Sequence, residues 1–446
     1  MTPHLLASDR AASSRRLWRP PARPTLHALL AAPAAVLTAS GLLVALAASA
    51  APTPAAATTP SAAVTNGDGA EARRAGLTRL ARNLVAAGAP GVIVRVSDGR
   101  GPAVEIVEQA PWARRSHRLE AGDEYRMASN TKTMMATITL QLVAEGRLAL
   151  NDPVEKWLPG AVPSGGAMTL RMLLNHTSGL FDYPEDPSLR PSITGRDPHR
   201  WTSAELLAVG ARHPLLFAPG TRFAYSNTDY AAVGAVLEKA TGRTLADLVR
   251  DRIARPLHLE HTYLATDSRW RGRYARGYEP DLAHMPPGVP VEFRDVAGPH
   301  VAGHVDVSGN DPSYAGAAGG IVSTARDWSR FYTALMSGGL LPPAQLKQML
   351  TTVPMDPANP KDGPGSGMGI VTGSTPCGRV WAHEGGMTGY SSINYTDATG
   401  RRTASVLIPT ELLSEFDADQ KLTEADQALS IATACAMFGK PVPATR

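Results

Sequence analysis

Strand-forming text lies near both ends of this 446-residue chain and is scarce between them. "GVIVRVSDGRGPAVEIVEQA" (91–110) reads as two strands around a glycine-rich turn. "GRVWAHEGG" (378–386), "GYSSINYTD" (389–397) and "RRTASVLIP" (401–409) read as three more, the last two joined by an Ala-Thr-Gly hairpin signal. From Ser129 to about Met336 the text is mainly helical, as in 129–145, "TLRMLLNHTSGL" (169–180) and "TDYAAVGAVLEKATG" (228–242). Such a chain completes a sheet only by bringing its two ends together. The expectation is an α/β (α+β) fold. One antiparallel sheet of about five strands is flanked by helices, and a large, mostly helical subdomain is inserted at about 129–340. An amphipathic helix over 71–87, with Leu77, Leu80, Leu84 and Ala87 on one face, precedes the first strand. A final helical segment carries Cys435, and no internal repeat is visible. An active site is expected in the cleft between sheet and insertion.

The hydrophobic fraction of 43% is enough for a sizeable core. The formal net charge of +4 is carried by the first fifty residues, where Arg10, Arg15, Arg16, Arg19 and Arg23 face only Asp9. The rest is neutral, so no basic surface argues for nucleic acid. Residues 1–50 have the pattern of an export signal. An arginine-bearing start is followed by an apolar run that closes on Ala48-Ser49-Ala50, a small-residue cleavage pattern. The run is longer than the usual apolar core of a signal peptide, so an uncleaved membrane anchor is the competing reading. "SRRLWR" holds twin arginines, but Arg19 stands where an apolar residue belongs. Residues 51–70 are Ala/Pro/Thr-rich and read as a flexible linker before a domain at 71–440. A secreted or cell-envelope monomer is expected. In an exported chain the two cysteines, Cys377 and Cys435, pair more often than not; two buried thiols are the plain alternative.

In "YRMASNTKTMMATITLQLV" (125–143), Met134, Ile138 and Leu142 mark a buried helical stripe, and Lys132 stands one turn after Ser129. Residues three apart share a helix face, so hydroxyl and ammonium can meet. A serine hydroxyl becomes a nucleophile when a neighbour takes its proton. A lysine can be that neighbour when its surroundings lower its pKa. The plain alternative is an N-cap serine and a snorkelling lysine. In "FAYSNTDY", Tyr225 can relay a proton, and Asn227 can bond both Lys132 and a substrate carbonyl. In "WAHEGGMTGY", His383 on a strand precedes Glu384, Gly385 and Gly386. Glycines there admit close backbone approach, and the N–H groups of Ser129 and Gly386 form a candidate oxyanion hole. Glu384, Gly385 and Arg379 are candidate substrate contacts. His300 with His304 and His258 with His261 lack further ligands, so no metal is expected.

Ser-x-x-Lys, then Tyr-Ser-Asn, then His-x-Gly, in that order, resembles the penicillin-recognising serine hydrolases. The branch most similar holds class C β-lactamases, Streptomyces-type D-alanyl-D-alanine carboxypeptidases, and related esterases and D-aminopeptidases. "LLNHTSGL" (173–180), "RPLHLEHTY" (255–263) and "AGGIVSTARDWSRFYTALMSGGLL" (318–341) extend the likeness, which runs from about residue 76 to 438. It implies a β-lactamase/transpeptidase-like fold and needs no cofactor. It implies Ser129 as acylated nucleophile, Lys132 and Tyr225 as proton-transfer pair, and Asn227 as substrate contact. His383 stands where β-lactamases carry lysine, which points away from a dedicated β-lactamase. The implied reaction is removal of a terminal D-alanine from cell-wall peptides, with β-lactams as possible acylating agents. One departure counts against it. Glu384 and Gly386 replace threonines that help hold the substrate carboxylate; a cleft-facing Glu384 would repel that group, but neighbouring strand residues face opposite sides, so Glu384 can as easily point outward. An esterase or D-amino-acid amidase is the alternative, and a non-catalytic binder of wall peptides or β-lactams is a third.

Overall fold

The structure is a computed structural model that describes residues 66–361, 363–416 and 420–442. The expected export segment and most of the linker lie outside the described residues. A first helix, α1 (Asn66–Ala86), starts within the stretch expected to be linker, because a helix anchored by downstream packing propagates outward cooperatively. Its buried face is Leu77, Leu80, Ala81 and Leu84. Ala87 falls past its end and is only half-buried.

The sheet has eight strands rather than about five: β1 (Gly91–Ser97), β2 (Val104–Gln109), β3 (Val353–Pro354), β4 (Gly365–Ser366), β5 (Val371–Thr375), β6 (Gly378–Met387), β7 (Tyr390–Thr396) and β8 (Thr403–Ile408). Their order is β2-β1-β8-β7-β6-β5-β4-β3, with every pair antiparallel. The five strands legible in the sequence are contiguous. The three extra ones extend one edge; two of them span only two residues, too short for a periodic signal. The early and late strands meet where β1 pairs β8, with Val94 opposite Val406.

One face of the sheet is covered by α1 and the last helix, α6 (Lys421–Met437). Leu77, Leu80, Leu84, Leu429 and Met437 pack there on Val92, Val94, Val380, Ile393 and Val406. Each such side chain contributes roughly 1.5–3 kcal/mol by leaving water. Cys377, at the β5–β6 turn, is bonded to Cys435 of α6, with Cα atoms 5.1 Å apart.

The other face receives the insertion, built on α2 (Thr131–Ala144), α3 (Ser203–Ala211), α4 (Asn227–Thr241) and α5 (Ala325–Met336). Met134, Ile138 and Leu142 are fully buried, but so are the residues between them as far as Leu140. A helix buried all round, its threonines and Lys132 included, is a central one. Two small three-stranded sheets accompany the insertion, one begun by Tyr125–Arg126 just before it and one that includes Tyr278–Pro280 and His304–Asp306.

Candidate active site

Ser129 lies in a single 3-10 turn, Ala128–Asn130, just before α2. Ala128 enters that turn at φ +45°, a left-handed conformation costly for a side-chain-bearing residue and typical of sites held strained by their surroundings. The hold is visible. Asn130, fully buried, donates to the Met127 carbonyl (3.1 Å) and to Ser392 Oγ (2.9 Å), and accepts from Asn394 Nδ2 (3.0 Å). Asn394 in turn accepts from Ser405 Oγ at 2.6 Å. A polar ladder across β7 and β8 thus pins the turn to the sheet.

Strand β6 comes close from the side. A Cβ on Gly385 would lie 2.3 Å from the Met127 oxygen and 2.9 Å from the Ser129 nitrogen. Gly385, expected as a substrate contact, is needed here for the approach of strand to turn. Gly386 lines the same cavity as Ser129.

Lys132 is fully buried beneath Ser129. Its Nζ donates to Ser129 Oγ (3.1 Å), Asn227 Oδ1 (2.7 Å) and the Ala318 carbonyl (2.8 Å). Its ammonium sits 4.8 Å from the centre of the Tyr225 ring. The Tyr225 hydroxyl donates to Ser129 Oγ at 2.8 Å. Burial pushes Lys132 down to about 7, against the pull of Asp182 and Asp229, which favour its charge. Burial also pushes Tyr225 well up, against its bond to Ser129, so a tyrosinate is not the resting form at neutral pH.

The second carboxyl layer was not singled out in the sequence. Asp182 accepts from the Asn227 backbone N–H (2.6 Å) and side-chain amide (3.1 Å), and burial pushes it up to about 7. Asp229 on α4 bonds His176 Nδ1 (2.9 Å) and the Ser178 hydroxyl. His176 Nδ1 also receives the Ser226 N–H (3.3 Å). Burial drives Asp229 up, against its bond to Ser178, and drives His176 down, so burial disfavours the charged form of each. His176 packs 4.5 Å from the Tyr225 ring. The only signal for this layer was position: Asp182 and His176 flank "TSGLF", within or just beyond the "LLNHTSGL" resemblance.

His383 is buried and donates from Nδ1 to the Glu384 carbonyl (2.6 Å); burial, then Lys132, lowers it to about 3. It is therefore a neutral imidazole. Glu384 shares the strand face of its register partner Ile393, which belongs to the core beneath α6. Burial, then Asp426 of α6, pushes its carboxyl up to about 8. Glu384 also borders a small cavity behind Tyr225, with His176, Phe223, Ser366 and His383. Glu384, a candidate substrate contact, thus takes the outward of its two open orientations and does not line the cavity over Ser129. Arg379 is exposed, four residues before His383, roughly 13 Å away at the rise of a strand, and lines neither cavity.

The cavity over Ser129 is lined by Tyr183, Ile193, Tyr225, Asn227, Tyr314, Thr388 and Glu411, among others, and has about 640 Å³ of space, part of it open to solvent. Its lining includes one carboxylate and no lysine, arginine or histidine. Among the described residues no three His, Cys, Asp or Glu side chains are grouped to hold a metal ion, and no helix is long and apolar enough to cross a membrane.

A serine whose oxygen accepts from both a buried lysine and a tyrosine, at the junction of an antiparallel sheet and a helical insertion, defines an acyl-transfer class of site. The chain belongs to the β-lactamase family, whose model matches residues 77–428; members are typically serine hydrolases. Penicillin-binding protein 4* of Bacillus subtilis is 28% identical over 344 residues, covering 76% of this chain and 68% of that protein. A putative D-alanyl-D-alanine carboxypeptidase of Escherichia coli K12 is 34% identical over 153 residues, but the match spans only 35% of its length. Among solved structures, a D-stereospecific amidohydrolase from Streptomyces sp. superposes with TM-score 0.68 at 35% identity, covering 79% of this chain and 98% of that one. D-amino acid amidase from Ochrobactrum anthropi, complexed with L-phenylalanine amide, gives TM-score 0.68 at 26% identity, covering 82% and 99%.

Proposed function

We propose that this chain is an exported serine hydrolase that forms an acyl-Ser129 intermediate from small amides or esters bearing a free amino group, D-amino-acid derivatives above all. The observation that carries the substrate reading is the cavity over Ser129. Glu411 offers it a carboxylate, and no cation among its lining residues offers to hold a substrate carboxylate. The D configuration and the amide bond follow the activities for which the two structural relatives are named.

In the proposed chemistry the neutral Lys132 amine takes the Ser129 proton as Oγ bonds to the carbonyl carbon. The oxyanion sits between the N–H groups of Ser129 and Gly386. The C–N or C–O bond breaks, and the leaving group receives its proton through the Tyr225 hydroxyl, replenished from Lys132. Water then repeats the addition on the acyl carbon and frees Ser129. Tyr225 serves as a hydroxyl relay rather than as an anionic base because burial so disfavours its charge. Asn227 holds Lys132 and reaches the substrate carbonyl. Neutral His383 lends polarity without a charge to pair a carboxylate.

The D-alanyl-D-alanine carboxypeptidase reading is second, supported by the 34%-identical segment. Export rests on the apolar run before Ala50. The test is a comparison of D-phenylalanine amide, its N-acetyl derivative, a short acyl nitrophenyl ester and an N-acylated D-Ala-D-Ala peptide. The free-amine amide is expected to beat its N-acetyl form by about tenfold or more in kcat/KM. Preference for the acylated peptide would move the assignment to carboxypeptidase. No Ser129-dependent turnover of any of the four would leave a binder.

A further inference from the structure

Glu279, on the short strand Tyr278–Pro280, is fully buried and forms no ion pair with a cation among the described residues. Its oxygens only accept. Oε1 receives the N–H groups of Gly389 (2.6 Å), Glu411 (3.1 Å) and Leu412 (3.3 Å); Oε2 receives the Leu412 N–H (3.1 Å) and the Thr410 hydroxyl (3.1 Å). The donors come from two segments separate in sequence. One is the β6–β7 turn, whose Thr388 lines the cavity over Ser129 and donates to the Ile193 carbonyl at 2.9 Å. The other is Thr410–Leu412, which holds Glu411 against Gly386: a Cβ there would run into the Glu411 carboxylate.

Both segments have other anchors, and Glu279 is the point at which they are bonded to one residue. Gly389 turns at φ +82°, and a Cβ on it would lie 2.3 Å from Val307 Cγ2, so the turn is seated closely on the insertion. The Tyr278 N–H bonds the Pro409 carbonyl at 3.0 Å, so the Glu279 strand runs directly beside the second segment. A carboxylate that accepts three backbone N–H groups, one of them shared between its two oxygens, and a hydroxyl is a fixed node between them. Burial pushes Glu279 up to about 7, and these bonds oppose that by favouring the ionised form.

We infer that Glu279 is a positioning residue for substrate selection: through Glu411 and the Thr388–Gly389 turn it shapes the wall of the cavity that receives the substrate's amino group. This rests on the amine-binding reading of Glu411 given above. Glu279 touches neither Ser129 nor that cavity, so its effect falls on discrimination between substrates rather than on acylation itself.

The test measures kcat and KM of the full mature chain on two probes, D-phenylalanine p-nitroanilide, which has a free amine, and p-nitrophenyl butyrate, which has none. Glu279→Gln keeps shape but turns an amide N–H₂ toward backbone N–H donors. It is expected to lower the anilide-to-ester ratio of kcat/KM by about tenfold, mainly through the anilide KM. Thr410→Val removes one of the five bonds, keeps the volume, and is expected to move the ratio the same way by about threefold. If Glu279→Gln does not fold, Thr410→Val decides. An equal loss on both probes, or no change in ratio, overturns the inference. Glu411→Gln separates the two readings. If it leaves the ratio unchanged, the amine reading fails and this inference with it; if it lowers the ratio while the Glu279 and Thr410 variants do not, the positioning role alone fails.

Discussion

The two faces of the sheet bury different kinds of matter. Beneath α1 and α6 lie leucines, valines and methionines in ordinary packing, tied by one disulfide. On the other face, around the Ser129 turn, Lys132, Asp182, Asp229, His176 and His383 are all buried. The first face earns stability. The second costs it, since each of those groups is held away from its ordinary ionisation by loss of water. The contrast teaches where function is built: the apolar face carries the sheet, and the sheet then carries a turn strained at Ala128 and a lysine that burial brings to about 7.

Substitutions should fall cleanly on one side of this divide. The largest effect is expected for Ser129→Ala, a loss of turnover on the order of 10⁴-fold or more with unchanged melting, read by steady-state kinetics and calorimetry. Gly385→Ala comes next. Its Cβ would press the Met127 oxygen and the Ser129 nitrogen, and kcat should fall by about a hundredfold, consistent with a misplacement of the order of an ångström. A kcat within twofold of wild type would show that the turn has slack.

The pH dependence sharpens the polar side. Burial lowers Lys132 to about 7, so the neutral amine prevails above that pH and kcat/KM should fall as pH drops through about 7. Asp182 favours the ammonium, so Asp182→Asn should carry this acid limb to lower pH; a shift upward would contradict the assignment. On the apolar side Leu84→Ala is expected to cost about 2–5 kcal/mol in denaturant unfolding and leave kcat of the folded enzyme within about twofold. Removing the Cys377–Cys435 bridge, which closes a separation of 58 residues, should cost about 3–4 kcal/mol, again with little change in kcat.

The apolar face was the legible one. Leu77, Leu80 and Leu84 repeat at helical spacing, and β1, β2, β6, β7 and β8 carry strand text bounded by turn residues. On the polar side Ser129, Lys132, Tyr225 and Asn227 were legible because short spacings place two pairs of them locally, and the family resemblance joins the pairs. Asp182, Asp229 and His176 were not, because their meeting depends on the packing of α4 against the 173–186 segment, which no local period encodes. The side to which Glu384 points stayed open in the sequence for the same reason: which face a strand residue takes is fixed by register with Ile393, not by its own neighbours. The short edge strands β3 and β4 left no periodic trace, and Gly385 reads alike in sequence whether it meets a substrate or a backbone.

The central claim is that Ser129 is acylated with Lys132 as its base. The most direct measurement is the intact mass of the protein, acid-quenched during turnover of a D-phenylalanine nitrophenyl ester and, in parallel, after exposure to benzylpenicillin. The account predicts an acyl adduct from the ester on the Ser129 peptide of wild type, none on Ser129→Ala, and slower build-up on Lys132→Ala; a penicilloyl adduct at the same residue would add β-lactams to its acylating agents. Ester turnover with an adduct on another residue, or at full rate in Ser129→Ala, would contradict it.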